Sequence, residues 1–149
     1  ASRGLGDVYK RQDYAKRRFA HPSARFECRS ATNTGVPSES IDLVTSFETI
    51  EHIPDLEAFV NEMSRVLVPG GVLCLSTPND GGLTDFHVHS FTRQSLESLL
   101  AKRFTNIRTF AQRATNIPIL SGSGAGVTPC RDDVFTLAES WFVVAQKPQ

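Results

Sequence analysis

Net charge is the first thing this sequence lacks: sixteen basic and sixteen acidic residues cancel over 149 positions. No overall field therefore draws the chain to nucleic acid or anionic lipid. Long apolar runs are also missing, none approaching the ~20 residues a membrane span needs, and no secretory signal pattern opens the chain. Cysteine is scarce. Cys28, Cys74 and Cys130 are odd in number, far apart and form no Cys-x-x-Cys pair. This argues against a disulfide framework or zinc knuckle and suits a reducing cytoplasm. There is no initiator methionine, and Ala1 to Gln12 carries no apolar period. The expectation is a non-native or disordered leader over residues 1–12, ahead of one domain over 13–149.

What is present is ordinary globular composition, 40% apolar and 21% charged, with length for one hydrophobic core. Gln12 to Phe19 suits the end of a helix, which His21-Pro22 stops because proline disfavours helix in its predecessor. The cluster Lys16-Arg17-Arg18 reads as a solvated helix face. Ala24 to Ser30 alternates and predicts a strand; the polar stretch from Ala31 to Ser40 predicts a loop. Ile41 to Phe47 is β-branched and aromatic over a short length, so a buried strand is expected. Asp55 can cap a helix whose Leu56, Phe59, Val60, Met63, Val66 and Leu67 repeat at helical spacing. Pro69-Gly70-Gly71 ends that helix, and Val72 to Ser76 predicts a second buried strand. Strand, helix and strand joined in this way make a parallel crossover, which places the chain in the α/β class.

Beyond it, a polar loop is expected over Thr77 to Ser90. A helix capped by Thr92 follows, with Leu96, Leu99, Leu100 and Phe104 on one face. Further strands are expected at Ile107–Ala111 and Ser140–Gln146, with an irregular region over Thr115 to Asp133. Gly122, Gly124 and Gly126 spell a GxGxG sequence, but Thr128-Pro129 follows where a helix should begin. A glycine motif without its strand–turn–helix setting reads as a surface loop.

The run Ser40 to Asn79 resembles the middle of class I S-adenosylmethionine-dependent methyltransferases of the small-molecule type. The matching pieces are Ile41-Asp42-Leu43-Val44, Glu51-His52-Ile53, Arg65-Val66-Leu67, Pro69-Gly70-Gly71 and Thr77-Pro78-Asn79. The stretch His87 to Thr92 resembles, more weakly, methyltransferases acting on cell-envelope sugars and quinones. The resemblance implies a partial Rossmann-like fold, from a sheet of strand order 3-2-1-4-5-7-6 with an antiparallel last strand. Ala24–Ser30 would be strand 3, Ile41–Phe47 strand 4, Val72–Ser76 strand 5, Ile107–Ala111 strand 6 and Ser140–Gln146 strand 7. Strands 1 and 2 would be missing, and with them the glycine-rich turn and the acidic residue that hold the cofactor in this family. Asp7 lies near the place of that acid but follows no apolar run.

The resemblance further implies S-adenosylmethionine as cofactor, contacted by Ser30 and Ala31 at the adenine and by Phe47 and Glu48 near the methyl group. Methyl transfer is an in-line displacement, so the protein mainly aligns nucleophile, methyl and sulfur. His52 is the candidate general base, since an imidazole can take up a proton near neutrality. His87 and His89 are candidate acceptor-binding residues. No metal is expected: a three-histidine site with His52 lacks an evident backing carboxylate. The implied activity is methyl transfer in the cytoplasm to a small acceptor of sugar, lipid or quinone type, with this chain alone inactive. A methyltransferase-like binding module without catalysis is the alternative. A nucleotide-sugar oxidoreductase is disfavoured by the absence of a Tyr-x-x-x-Lys pair. Without strands 1 and 2, strand 4 would expose an apolar edge that invites aggregation.

Overall fold

A computed structural model describes residues 5–79, 87–113, 126–129 and 140–149. Its first element is helix α1 (Leu5–Arg18). The helix expected over Gln12–Phe19 thus begins earlier, and part of the segment read as a leader is helical. Its lysines, arginines, alanine and glutamine are good helix formers without any apolar stripe. Lys16, Arg17 and Arg18 occupy the last turn and are exposed. Arg18 lies over the Phe19 ring at 5.6 Å just before the His21-Pro22 stop.

Ala24 to Ser30 does not form the expected strand. Only an isolated bridge between Ser30 and Asn33 occurs there, and every side chain but the half-buried Phe26 is exposed. Alternation specifies a face, but a strand also needs a neighbour to receive its backbone bonds, and no described strand lies beside this segment.

The crossover forms as expected. Strand β1 (Ile41–Phe47) passes through a 3-10 turn at Ile50–His52 into helix α2 (Leu56–Val66). Asp55 caps α2, its carboxylate accepting from the Ala58 N–H at 2.9 Å. Strand β2 (Leu67–Pro78) then returns parallel to β1. β2 is longer than expected because Pro69-Gly70-Gly71 stays within it as an irregularity. Ile41 pairs with Leu67 but Leu43 with Val72. Gly70 has φ +79°, a conformation that suits glycine, and a Cβ on Gly71 would sit 2.9 Å from the Val68 carbonyl oxygen.

Thr92 caps helix α3 (Arg93–Leu100), accepting from the Ser95 N–H at 3.1 Å. Strand β3 (Thr105–Arg113) follows, then β4 (Gly126–Pro129) and β5 (Ser140–Gln146). Gly126 of the GxGxG sequence therefore begins a strand; Gly122 and Gly124 lie outside the described residues, as does most of Thr115–Asp133. The sheet order is β1-β2-β5-β3-β4. β5 is antiparallel to both β2 and β3, so β1, β2 and β3 share one direction and β5 is reversed between them. This is the 4-5-7-6 half of the sheet that the resemblance implied, with β4 added at its rim.

Helices α2 and α3 pack together on one sheet face. Phe59, Val60, Met63, Leu96 and Leu100 meet Leu73, Leu75, Trp141, Val143 and Ala145 there in a single core. Trp141 donates its indole N–H to the Phe91 carbonyl at 3.0 Å, satisfying the one polar atom of the largest buried side chain. The register places Leu43, Phe47, Val72, Phe110, Phe142 and Val144 on the opposite face. Leu43 and Phe47 are 54% and 52% exposed. The expectation of a buried β1 is therefore corrected: none of its residues is fully buried, because among the described residues no helix covers that face and no strand pairs its outer edge.

Candidate active site

The carboxyl ends of β1 and β2 lie at one rim of the sheet, where open α/β sheets place their ligands. Phe47 ends β1. Its ring stacks on Phe142 at 5.8 Å, and Phe110 meets Phe142 edge-on at 6.4 Å. Half of Phe47 stays open to solvent. Glu48 follows with φ +49°, a left-handed conformation that costs a non-glycine residue on the order of 1 kcal/mol. Ser76 of β2 stabilises it: the Glu48 N–H donates to the Ser76 carbonyl at 3.1 Å and to Ser76 Oγ at 3.2 Å. Ser76 Oγ in turn donates to Glu48 Oε1 at 2.7 Å. The strained turn carries the chain off β1 and aims the 3-10 turn across the rim.

That turn buries Glu51 and exposes His52. Glu51 Oε2 accepts from Thr77 Oγ at 3.1 Å, while buried Oε1 has no hydrogen-bond donor among the described residues. His52 Nε2 stands 3.7 Å from Oε1, too far for a hydrogen bond. The loop after β2 is fastened to the same turn, because the N–H groups of Val88 and His89 both donate to the Glu51 carbonyl, at 2.9 and 3.1 Å. His87 is thereby brought edge-on to His52, ring centres 4.9 Å apart. The His89 ring turns away to Pro54, its Nε2 lying 3.3 Å from that carbonyl oxygen.

Of the residues singled out in the sequence, Phe47, Glu48, His52 and His87 thus gather at this rim, with His89 beside them. Ser30 and Ala31 do not join them by any contact among the described residues. Ser30 Oγ is engaged locally, accepting from the Thr32 N–H at 3.2 Å and bonded to Thr32 Oγ at 2.8 Å. Ala31 packs against the hydrophobic core. Ser76, Thr77 and Glu51 were not picked out as site residues. Glu51 and Thr77 stand within quoted motif pieces, but burial of a carboxylate arises only once the 3-10 turn and β2 pack together.

Away from the rim, a second polar network fixes the loop before β1. Glu62 of α2 is buried and accepts from the Thr34 N–H and hydroxyl, both at 2.7 Å, and from Arg65 at 2.8 Å. The Arg65 hydrogen bond outweighs desolvation and, with Thr34, holds the Glu62 carboxyl down at about 2. Arg65 also donates to the Val36 carbonyl at 2.7 Å and Ser38 Oγ at 2.9 Å.

Over residues 7–75 the chain matches a protein family described as a methyltransferase domain. A probable S-adenosylmethionine-dependent methyltransferase of Mycolicibacterium smegmatis is 34% identical over 108 residues, covering 67% of this chain and 42% of that protein. A ubiquinone biosynthesis O-methyltransferase of Bradyrhizobium sp. is 36% identical over 59 residues, covering 40% of this chain and 23% of that protein. The chain spans less than half the length of these curated relatives. Among solved structures, a SAM-dependent methyltransferase from Archaeoglobus fulgidus superposes with a TM-score of 0.63 at 13% identity, covering 87% of this chain and 71% of that one.

Proposed function

We infer the function from one premise: the chain belongs to the class I S-adenosylmethionine-dependent methyltransferase family. On that premise we propose that the protein transfers a methyl group from S-adenosylmethionine to a small-molecule acceptor, in the cytoplasm. The observation that carries the reading is the rim at the end of β1. There an exposed aromatic ring, a strained acidic residue and a histidine stand side by side at the ligand-binding end of the sheet.

The cofactor supplies an electrophilic methyl on a sulfonium; the chain supplies orientation and proton handling. Phe47 offers an apolar wall, fixed by Phe142. Glu48, its carboxylate tied to Ser76 at 2.7 Å, presents a fixed acceptor for a donor group of the cofactor's methionine end. Ser30 and Ala31 take the adenine side through their backbone, since Ser30 Oγ already has local partners. No described residue provides the glycine-rich turn or the ribose carboxylate, so these residues fit part of the cofactor only. His52 receives the proton of an acceptor hydroxyl, His87 borders the acceptor, and His89, its ring turned to Pro54, lines the acceptor side through the same loop. A hydroquinone or phenol suits this arrangement: its planar ring can lie on apolar surface while its hydroxyl meets an imidazole. The named activity of the ubiquinone-pathway relative agrees with that chemistry.

Calorimetric titration with S-adenosylhomocysteine tests the reading. Saturable binding that Phe47→Ala weakens at least tenfold supports it, and a screen of phenolic acceptors with labelled cofactor follows. Failure to bind S-adenosylhomocysteine at any accessible concentration would overturn it for this chain. The missing glycine turn and carboxylate would then favour a non-catalytic binding module.

A further inference from the structure

We propose that Glu51, His52 and His87 form a binding site for a divalent transition-metal ion of zinc type. The inference goes beyond methyl transfer and does not depend on it. One carboxylate oxygen and two imidazole nitrogens lie within 4.8 Å of one another at this point. Their chemistry is that of zinc, cobalt or nickel rather than of magnesium or calcium, which favour all-oxygen sets.

The orphaned oxygen of Glu51 points to a ligand. A buried carboxylate oxygen without a donor costs about 1–3 kcal/mol, yet Glu51 Oε1 is held buried 3.7 Å from His52 Nε2 while Oε2 bonds Thr77. A cation at Oε1 removes that cost. The backbone has prepared the place as well. The Glu51 carbonyl takes both N–H groups that follow His87, so the loop carrying the second imidazole is fastened to the turn carrying the first. Ligand atoms around a tetrahedral zinc stand roughly 3.3 Å apart, given bonds of ~2.0–2.1 Å. His52 Nε2 at 3.7 Å from Oε1 and an outer limit of 4.8 Å require side-chain movements of about an ångström, within reach of rotamer adjustment. His52 is exposed and His87 half-buried, which leaves an approach from solvent. Three protein ligands leave a further position for an oxygen of an exogenous molecule. Ion and proton compete for the same imidazole lone pair, so in the loaded protein His52 is a ligand.

The test is titration of the chain with cobalt(II), followed by visible absorption, and with zinc(II) in a calorimeter, neither requiring cofactor or acceptor. The expected result is one equivalent bound, with the ligand-field bands of a low-coordinate nitrogen–oxygen site and no thiolate charge-transfer band. His52→Ala and His87→Ala each lower affinity by more than the roughly 10- to 100-fold that outer partners of a metal site cost. Both side chains reach solvent, so the tryptophan fluorescence melt of each variant should stay cooperative. His21→Ala, on an exposed histidine elsewhere, should leave affinity unchanged. Absence of stoichiometric binding, thiolate bands, or equal losses in all three variants would overturn the site. Since metal binding is read without methyl transfer, loss of one result leaves the other standing.

Discussion

Glu62 and Thr34 are joined twice through a single carboxylate oxygen, which accepts both the backbone N–H and the hydroxyl of Thr34 at 2.7 Å. With Arg65 on the other side, this arrangement ties the loop before β1 to α2. Its carboxyl lies at about 2, against an ordinary value of 4.5. A depressed folded value means the stabilisation is complete above the ordinary value and is lost as pH falls from about 4.5 towards about 2. Its size is of order 1–3 kcal/mol, discounted because Arg65 is half-exposed. Denaturant melts at neutral pH and near pH 3 should show this loss in the native chain. In Glu62→Gln the neutral-pH stability should already be lowered and its acid dependence flatter. An unchanged acid limb in the variant would refute the assignment.

Gly71→Ala should lower the melting temperature. The added methyl would meet the Val68 carbonyl at 2.9 Å, Leu67 Cδ2 at 3.0 Å and the Asp42 carbonyl at 3.2 Å. Two of these are backbone atoms in paired strands that cannot yield, so a cost of ~1–3 kcal/mol is expected. Thermal unfolding followed by the single tryptophan, Trp141, measures it. A change within error would show that the β1–β2 irregularity relaxes freely.

The two described thiols should differ in reactivity. Cys28 is exposed, whereas Cys74 is half-buried on β2 and burial raises its pKa. The thiolate is the nucleophile, so brief iodoacetamide treatment near neutrality should modify Cys28 well before Cys74. Peptide mass spectrometry reads the order directly; equal labelling would mean that β2 opens on the timescale of the reaction.

Leu43→Lys should reduce self-association. Leu43 is 54% exposed on the apolar face of β1, and a charge on an exposed strand is a recognised block to edge pairing. Light scattering across a concentration series should show less aggregate in the variant. A monodisperse native chain with a sharp cooperative transition would contradict the expectation that this surface drives association.

Much of the fold was legible because its signals are local. Asp55 and Thr92 cap the helices they were expected to cap, and Phe59, Val60, Met63 and Val66 of the apolar stripe are buried where its period placed them. Ala24–Ser30 was misread because alternation names two faces without naming a partner. The depth of β1 was overstated for a related reason: β-branched residues mark a strand, but burial depends on what covers it. At the rim, Phe47, Glu48 and His52 follow from their place at a strand end. The meeting of His52 with His87 goes with two backbone bonds from a distant loop to the Glu51 carbonyl, which no spacing in the sequence encodes.

The reversed placement of β5 between β2 and β3 also sets an order of assembly. β2 and β3 do not pair with each other; each pairs with β5, so among the described residues the two halves of the sheet are joined through a strand that follows both of them in the chain. During synthesis the β1–β2 crossover can form early, but β3 has no partner on that side until Ser140–Gln146 has left the ribosome. Such long-range pairing slows folding, and Trp141, seated at the start of β5 with its bond to Phe91, becomes the contact whose arrival marks the joining of these strands.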